Sequence, residues 1–228
     1  MHVPDGFINA PVSLGAGVVA AAGIAVSLRG ARRELDDRTA PMAGLVAAFV
    51  FAVQMLNFPI AAGTSGHLLG GALAAILVGP YTGAICVAVV ILVQAFFFAD
   101  GGLTAIGVNV VNMSLVTAVV GYLIFRGVLK VLPRRQSSII AAAFTAALVS
   151  VPVASLSFVA FYAIGGTTDV SLGAVTAAML GVHVLIGIGE AIITALTVGS
   201  IIAVRPDLVY GARHLRTELE LRPSPANV

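Results

Sequence analysis

A free amine followed at once by a histidine is a chelating arrangement, and this chain opens Met1-His2-Val3-Pro4-Asp5-Gly6. The terminal nitrogen, the amide nitrogen of His2 and the His2 imidazole can close adjacent five- and six-membered rings on one ion and lie nearly in a plane. One in-plane position is left open. Planar nitrogen ligation suits Ni(II) and Cu(II) and can hold Co(II), whereas Mg and Ca take oxygen and Zn prefers a tetrahedron. A second histidine could fill the open position. His67, within Thr64-Ser65-Gly66-His67-Leu68-Leu69-Gly70-Gly71, is the candidate, and Gly63 and Gly66 would let the backbone bend close to an ion. Pro4 and Gly6 fit a segment that turns back rather than entering a helix at once. The arrangement needs Met1 in place. His2 is too bulky for efficient removal of Met1, and no Lys or Arg precedes Arg29, so the opening lacks the positive stretch of a signal peptide. The mature chain is expected to begin at Met1.

The surroundings of such a site follow from composition. Of 228 residues, 59% are hydrophobic and 10% charged, against about 25% charged in soluble domains, and mean hydropathy is +1.07. A chain this apolar cannot cover a water-facing surface. Its solvent is lipid and its spanning elements are helices, so the expected class is an all-α, multi-pass integral membrane protein of the inner or plasma membrane. Apolar runs fall at 8–28, 41–60, 67–79, 82–98, 105–126, 137–164 and 173–204; a span needs about 17–25 residues. The third run is short and meets Gly79-Pro80, so it is either a separate short helix or the first part of one kinked helix running to Phe98. All 12 Lys and Arg lie in three blocks: Arg29 to Arg38, Arg126 to Arg135, and Arg205 to Arg222. About seven spans with the amino terminus extracytoplasmic put every block, and the carboxyl terminus, in the cytoplasm; six spans would split the first two blocks. The positive-inside rule favours seven. One transmembrane domain, 1–204, and a short, frayed, polar cytoplasmic tail, 205–228, are expected. Basic residues confined to short blocks exclude a nucleic-acid surface. Cys86, the single cysteine, has no intrachain partner and reads as a packed helix residue. His214 reads as solvated.

Polar groups at membrane depth are costly, so their clustering is informative. Gln54, Asn57, His67, Gln94, Asn109 and Asn112 come from four segments at similar depth. They read either as a polar pocket open to the outside or as interhelical hydrogen-bonded glue. Gln54/Asn57 and Asn109/Asn112 are spaced to share a helix face. His183 and Glu190 lie on one face of the last span, two turns apart. Glu190 falls about 26 Å along that span, too deep to touch an outer pocket. A structural pair, a proton relay and a coupling element are all open for these two. Asp5, Asp100 and Asp169 form an acidic outer side that either gathers cations or simply avoids positive charge. Ala16 and Ala20 are spaced for close helix approach. No Gly-Lys-Ser/Thr exists, since Leu129 precedes the only lysine, Lys130, so an energy source belongs to another chain or there is none. No His-Glu-x-x-His and no nucleophile beside a base argues for an enzyme.

Several stretches carry a resemblance. They are Met1-His2-Val3-Pro4-Asp5-Gly6-Phe7, Gln54-Met55-Leu56-Asn57-Phe58-Pro59, Gly63-Thr64-Ser65-Gly66-His67-Leu68-Leu69-Gly70-Gly71, Val93-Gln94-Ala95 with Phe98-Ala99-Asp100-Gly101-Gly102-Leu103-Thr104, and Ile186-Gly187-Ile188-Gly189-Glu190-Ala191. Together they resemble the CbiM/NikM family, the substrate-binding membrane subunits (S components) of energy-coupling-factor (ECF) transporters for nickel and cobalt. The resemblance implies a seven-helix fold with the amino terminus tucked into the bundle. It implies metal held by the Met1 amine, the His2 amide and imidazole, and the His67 imidazole. Gln54, Asn57, Thr64, Ser65, Gln94, Asn109 and Asn112 are then candidates for the surround. It also implies partners: a transmembrane coupling subunit, two cytoplasmic ATPase subunits and a small accessory membrane protein. No resident cofactor is expected; Ni(II) or Co(II) is cargo. Pro4-Asp5 and Thr64-Ser65-Gly66-His67-Leu68 are more similar to the nickel-type branch, although cobalt uptake for cobalamin synthesis would use the same ligands. An intramembrane enzyme and a stand-alone metal channel or carrier are the alternatives of another class. The cycle expected from these readings has the Met1-His2 arm fold over the metal and the ATPases drive reorientation through the coupling subunit, with the Ala16/Ala20 face as one candidate contact.

Overall fold

The computed structural model describes residues 1–36, 39–56, 58–59 and 65–215. Its helices are α1 (Ala10–Glu34), α2 (Ala40–Gln54), α3 (Gly71–Val78), α4 (Pro80–Phe98), α5 (Ile106–Asn109), α6 (Thr117–Val131), α7 (Gln136–Gly165) and α8 (Leu172–Val204). A π-helical stretch, Val110–Val116, joins α5 to α6 in one rod, Ile106–Val131. Five segments are long and apolar enough to cross a membrane: α1, α4, the α5–α6 rod, α7 and α8. The 15-residue α2 is apolar but shorter. The chain is a multi-pass helical membrane protein.

Local chemistry marks the helix ends. Asn9 accepts the Val12 N–H at 3.0 Å and so caps α1, with Pro11 in the first turn and Arg32 and Arg33 in the last, where their charge suits the helix dipole. Ser171 does the same for α8, accepting the Ala174 N–H. Gly79, at φ 101°, ends α3 and Pro80 begins α4 at once. The chain there reverses rather than kinks: a Cβ on Gly83 would lie 2.6 Å from the Ala75 backbone nitrogen, so residues on either side of the turn are in contact. Along one straight helix they would stand about 12 Å apart. The short third run is therefore a separate helix, and all eight of its residues are buried, as expected of a helix that is apolar all round. Buried Glu34 completes the turn. Its carboxylate accepts the Thr82 and Tyr81 N–H groups at 2.7 and 3.2 Å, replacing partners that the first turn of α4 lacks.

The core lies among α3, α4, α6, α7 and α8. Ala143, Ala146, Ala147 and Ala154 of α7 are fully buried, and such small residues let α7 and α8 run close together. Two expectations fail. Ala16 and Ala20 are buried inside the bundle, where Gly107 of α5 abuts the backbone of Ala16 and Gly17. That face is already filled by the chain's own helix and cannot meet a coupling subunit. The tail, too, is not frayed from Arg205 onward. Pro206–Leu208 and Tyr210–Leu215 form 3₁₀ turns, Val209 and Ala212 are buried, Gly211 sits on the Phe125 ring, and Arg213 donates to the Glu34 carbonyl at 3.1 Å. His214 lies within that second turn.

Candidate metal centre

The first nine residues form an arm that inserts among the helices. Met1 and Val3 are fully buried and His2 is 3% exposed. The arm is held mostly through its backbone. Asn109 grips Val3 at both ends: its Oδ1 accepts the Val3 N–H at 2.7 Å and its Nδ2 donates to the Val3 carbonyl at 3.2 Å. The Gly102 N–H donates to the same carbonyl at 2.8 Å. Asp5 accepts the Thr104 N–H and hydroxyl at 2.7 and 2.6 Å, and the Thr104 hydroxyl, with that amide, holds the Asp5 carboxyl below its usual range. Phe7 packs on Tyr162 and Phe158, and the Asn9 N–H donates to the Gly165 carbonyl at 2.7 Å.

Gly102 is the tightest point of this seat. A Cβ there would fall 2.4 Å from the Asp5 nitrogen and 2.6 Å from the Pro4 carbonyl carbon, both backbone atoms that cannot move aside cheaply. Overpacking of this kind costs about 1–3 kcal/mol. Gly102→Ala is expected to lift the arm, lowering metal affinity about tenfold while the helices stay intact; metal titration beside circular dichroism checks both.

His67 arrives from the other side. Phe58–Pro59 pairs antiparallel with Ser65–Gly66, and the extended stretch that follows is clamped by two helices. Gln54 of α2 donates to the Leu69 carbonyl at 2.6 Å. Glu190 of α8 accepts the Leu69 N–H at 2.6 Å and the Gly70 N–H at 2.9 Å, one on each oxygen. Gly70, at φ 75°, then turns the chain into α3 with its α-carbon against Val50. Glu190 is thus not beyond reach of the site: the extended stretch between His67 and α3 brings the Leu69 and Gly70 N–H groups to the carboxylate.

The two imidazoles meet with ring centroids 4.7 Å apart. The His67 Nδ1 lies 2.7 Å from the Leu68 carbonyl. A carbonyl accepts only from N–H, which fixes the tautomer and leaves Nε2 with a lone pair. That Nε2 is buried without a hydrogen-bond partner, as is the Nε2 of His2. His2 Nδ1 lies 2.9 Å from a carboxylate oxygen of Asp100. Burial lowers the Met1 amine to about 4, against the opposing pull of Asp100, so at neutral pH it is an uncharged donor; burial likewise lowers His2. Among the described residues, no three His, Cys, Asp or Glu side chains cluster closely enough to hold a metal. The buried Met1 amine and the His2 amide are main-chain nitrogens adjoining these rings.

The remaining candidates divide. Gln54, Gln94, Asn109 and Asn112 are buried to 1% exposure or less, so they strut the arm and loop rather than line an open pocket. Gln94 lies against His2 and reaches the Met55 sulfur at 3.9 Å. The π-helical stretch after Asn109 separates the two asparagines' roles: Asn109 holds Val3, while Asn112 accepts from Ser157 of α7 at 2.6 Å. His183 is fully buried and donates from Nδ1 to the Met179 carbonyl at 2.7 Å, leaving its Nε2 without a hydrogen-bond partner. Asn57 and Thr64 lie outside the described residues, and of Ser65 only the backbone pairing is described. Sequence reasoning missed the pairing of Asp100 with His2 and the buried cap made by Glu34. The scarcity of acidic residues, 10 in 228, was the available signal for each.

The family model described as the cobalt uptake substrate-specific transmembrane region, CbiM, matches residues 2–208. The chain belongs to the CbiM family. A protein of Archaeoglobus fulgidus with the provisional name fused nickel transport protein NikMN is 42% identical over 211 residues, covering 92% of this chain and 68% of its own length. A protein of Sorangium cellulosum named cobalt transport protein CbiM is 33% identical over 192 residues, covering 82% of this chain and 83% of its own. A crystal structure described as a transition metal transporter superposes with a TM-score of 0.83 at 26% identity, covering 95% of this chain and all of that one. CbiM-family membership makes this chain a membrane protein of nickel and cobalt transport.

Proposed function

We propose that this chain is the S component of an ECF-type importer and captures Ni(II), with Co(II) a close second, at the Met1–His2–His67 cluster. One observation carries the reading: a fully buried amino terminus stands beside His2, with the His67 ring 4.7 Å from the His2 ring and its Nε2 unpartnered. The amine, the His2 amide nitrogen after its proton leaves to solvent, and the His2 Nδ1 form the chelate; His67 Nε2 takes the fourth position. Four nitrogens in a plane satisfy the geometry that Ni(II) prefers. The Asp100 carboxylate, 2.9 Å from His2 Nδ1, offsets part of the cost of burying a cation there. The relatives' names support both metals and do not separate them, because both branches share these ligands.

The arm and His67 face outward in this reading, the three basic blocks lie in the cytoplasm, and the protein sits in the plasma membrane with seven helices embedded. A transmembrane coupling subunit and two ATPases supply the energy, with a small accessory membrane protein beside them. A catalytic role for Glu190 is disfavoured because both its oxygens are committed to Leu69 and Gly70. The test is metal analysis of protein purified with a tag only at its carboxyl end, followed by uptake in cells. Close to one nickel per chain, displaced by excess cobalt, and uptake that collapses when the ATPases are deleted are expected. Uptake untouched by that deletion would point to a stand-alone carrier.

A further inference from the structure

Asp100 occupies an unusual place. It follows Ala99, whose left-handed backbone at φ 51° ends α4 and throws the next residues over the arm. A polar cavity of about 380 Å³ opens there, walled by His2, Pro4, Asp5, Ala99, Asp100, Gly101 and Gly102. Its wall passes from exposed Asp5 and Ala99 to His2, which is 97% buried and keeps an unpartnered ring nitrogen. The Asp100 side chain is 18% exposed and lies 2.9 Å from His2 Nδ1, so one carboxylate touches both the water of the cavity and the nitrogen needed to close the six-membered chelate ring. Asp5, the other acid in the wall, is committed to Thr104 through one oxygen. Gly101 keeps the approach clear, because a Cβ there would lie 3.0 Å from the His2 ring.

We propose that Asp100 is the first protein ligand a cation meets: it takes the ion from the cavity and passes it to the Met1–His2 nitrogens as it gives up His2 Nδ1. This rests on the chelate proposed above. An ion at Asp100 exchanges a water for a carboxylate oxygen and draws that oxygen off the imidazole; the Nδ1 proton that faced the carboxylate leaves to solvent through the cavity while the ring takes a proton at Nε2, so Nδ1 is left with the lone pair the ion needs. Because the ion leaves by the same path, Asp100 lowers the barrier in both directions.

Stopped-flow loading and chelator-driven release of nickel, on the carboxyl-tagged full chain in detergent, test this. Asp100→Asn is expected to slow loading and release by the same factor, about tenfold or more, and Asp100→Glu to restore both rates. The deficit should persist at about 1 M salt, where screening acts within about 3 Å and long-range attraction is removed. Loading at the parent rate would overturn the proposal. So would a deficit that disappears at high salt, which means general attraction, or faster release at unchanged loading, which means that Asp100 only supports the His2 ring. A parent protein that binds no nickel would defeat the chelate itself, whereas normal binding with an unaltered Asp100→Asn rate defeats this inference alone.

Discussion

Joining a non-cleavable segment of many residues ahead of Met1 is expected to abolish nickel binding while leaving the bundle folded. The extension turns the terminal amine into an amide, and it must also find an exit from a position where Met1 has no exposure. The arm's fastenings to Asn109, Gly102 and Thr104 would then oppose any new path. Loss of one of four donors together with displacement of the others costs well over the roughly 1.4 kcal/mol that corresponds to tenfold in affinity. His67→Ala should match it, since no other unpartnered imidazole in the described structure stacks on His2. Metal analysis of the three proteins decides: stoichiometric nickel on the extended chain would mean that the amine is no ligand. A one-residue extension is the wrong comparison, because histidine in third place is itself a chelating arrangement.

Glu190→Ala is expected to reduce nickel affinity by about a hundredfold without touching a proposed ligand. Its carboxylate accepts two backbone N–H groups that begin α3. Orphaning buried donors costs about 1–3 kcal/mol each, so the loop will shift until they find partners, and His67 lies two residues away. A shift worth about 3 kcal/mol in the geometry of His67 corresponds to about a hundredfold. Glu190→Gln keeps one acceptor oxygen and turns an NH₂ toward the second N–H, so it should fall between. Isothermal titration with nickel measures both; affinity equal to the parent's in Glu190→Ala would show that the clamp does not position the site.

Much of the fold is legible in the amino-acid sequence. The helices α4 and α8 begin and end within two residues of the apolar runs, because a hydrocarbon solvent leaves no cheaper backbone state than a helix and polar residues are expelled to its ends. The run 67–79 is less faithful: its helix starts only at Gly71. Apolarity alone cannot distinguish a helix from a buried extended loop whose amides are satisfied by a distant carboxylate. Glu190 is misplaced by sequence for a related reason. Counting along α8 gives its depth, but not the depth of the loop opposite. Ala16 and Ala20 carry a spacing that signals close packing but not with what, and the partner is α5.

The proposed ligand chemistry is readable in Met1 and His2 alone, because chelate ring sizes follow from the covalent bonds between them and need no fold. Composition determined the helical class by the same independence from detail. Only tertiary structure decided that His67 meets His2, that Asn109 and Glu190 hold them there from 106 and 121 residues away in sequence, and that Asp100 waits at the imidazole. Those contacts arise where three helix ends and two loops converge. Hydrogen-bond partners across that distance are selected by the packing of small residues along whole helices, which no local pattern encodes.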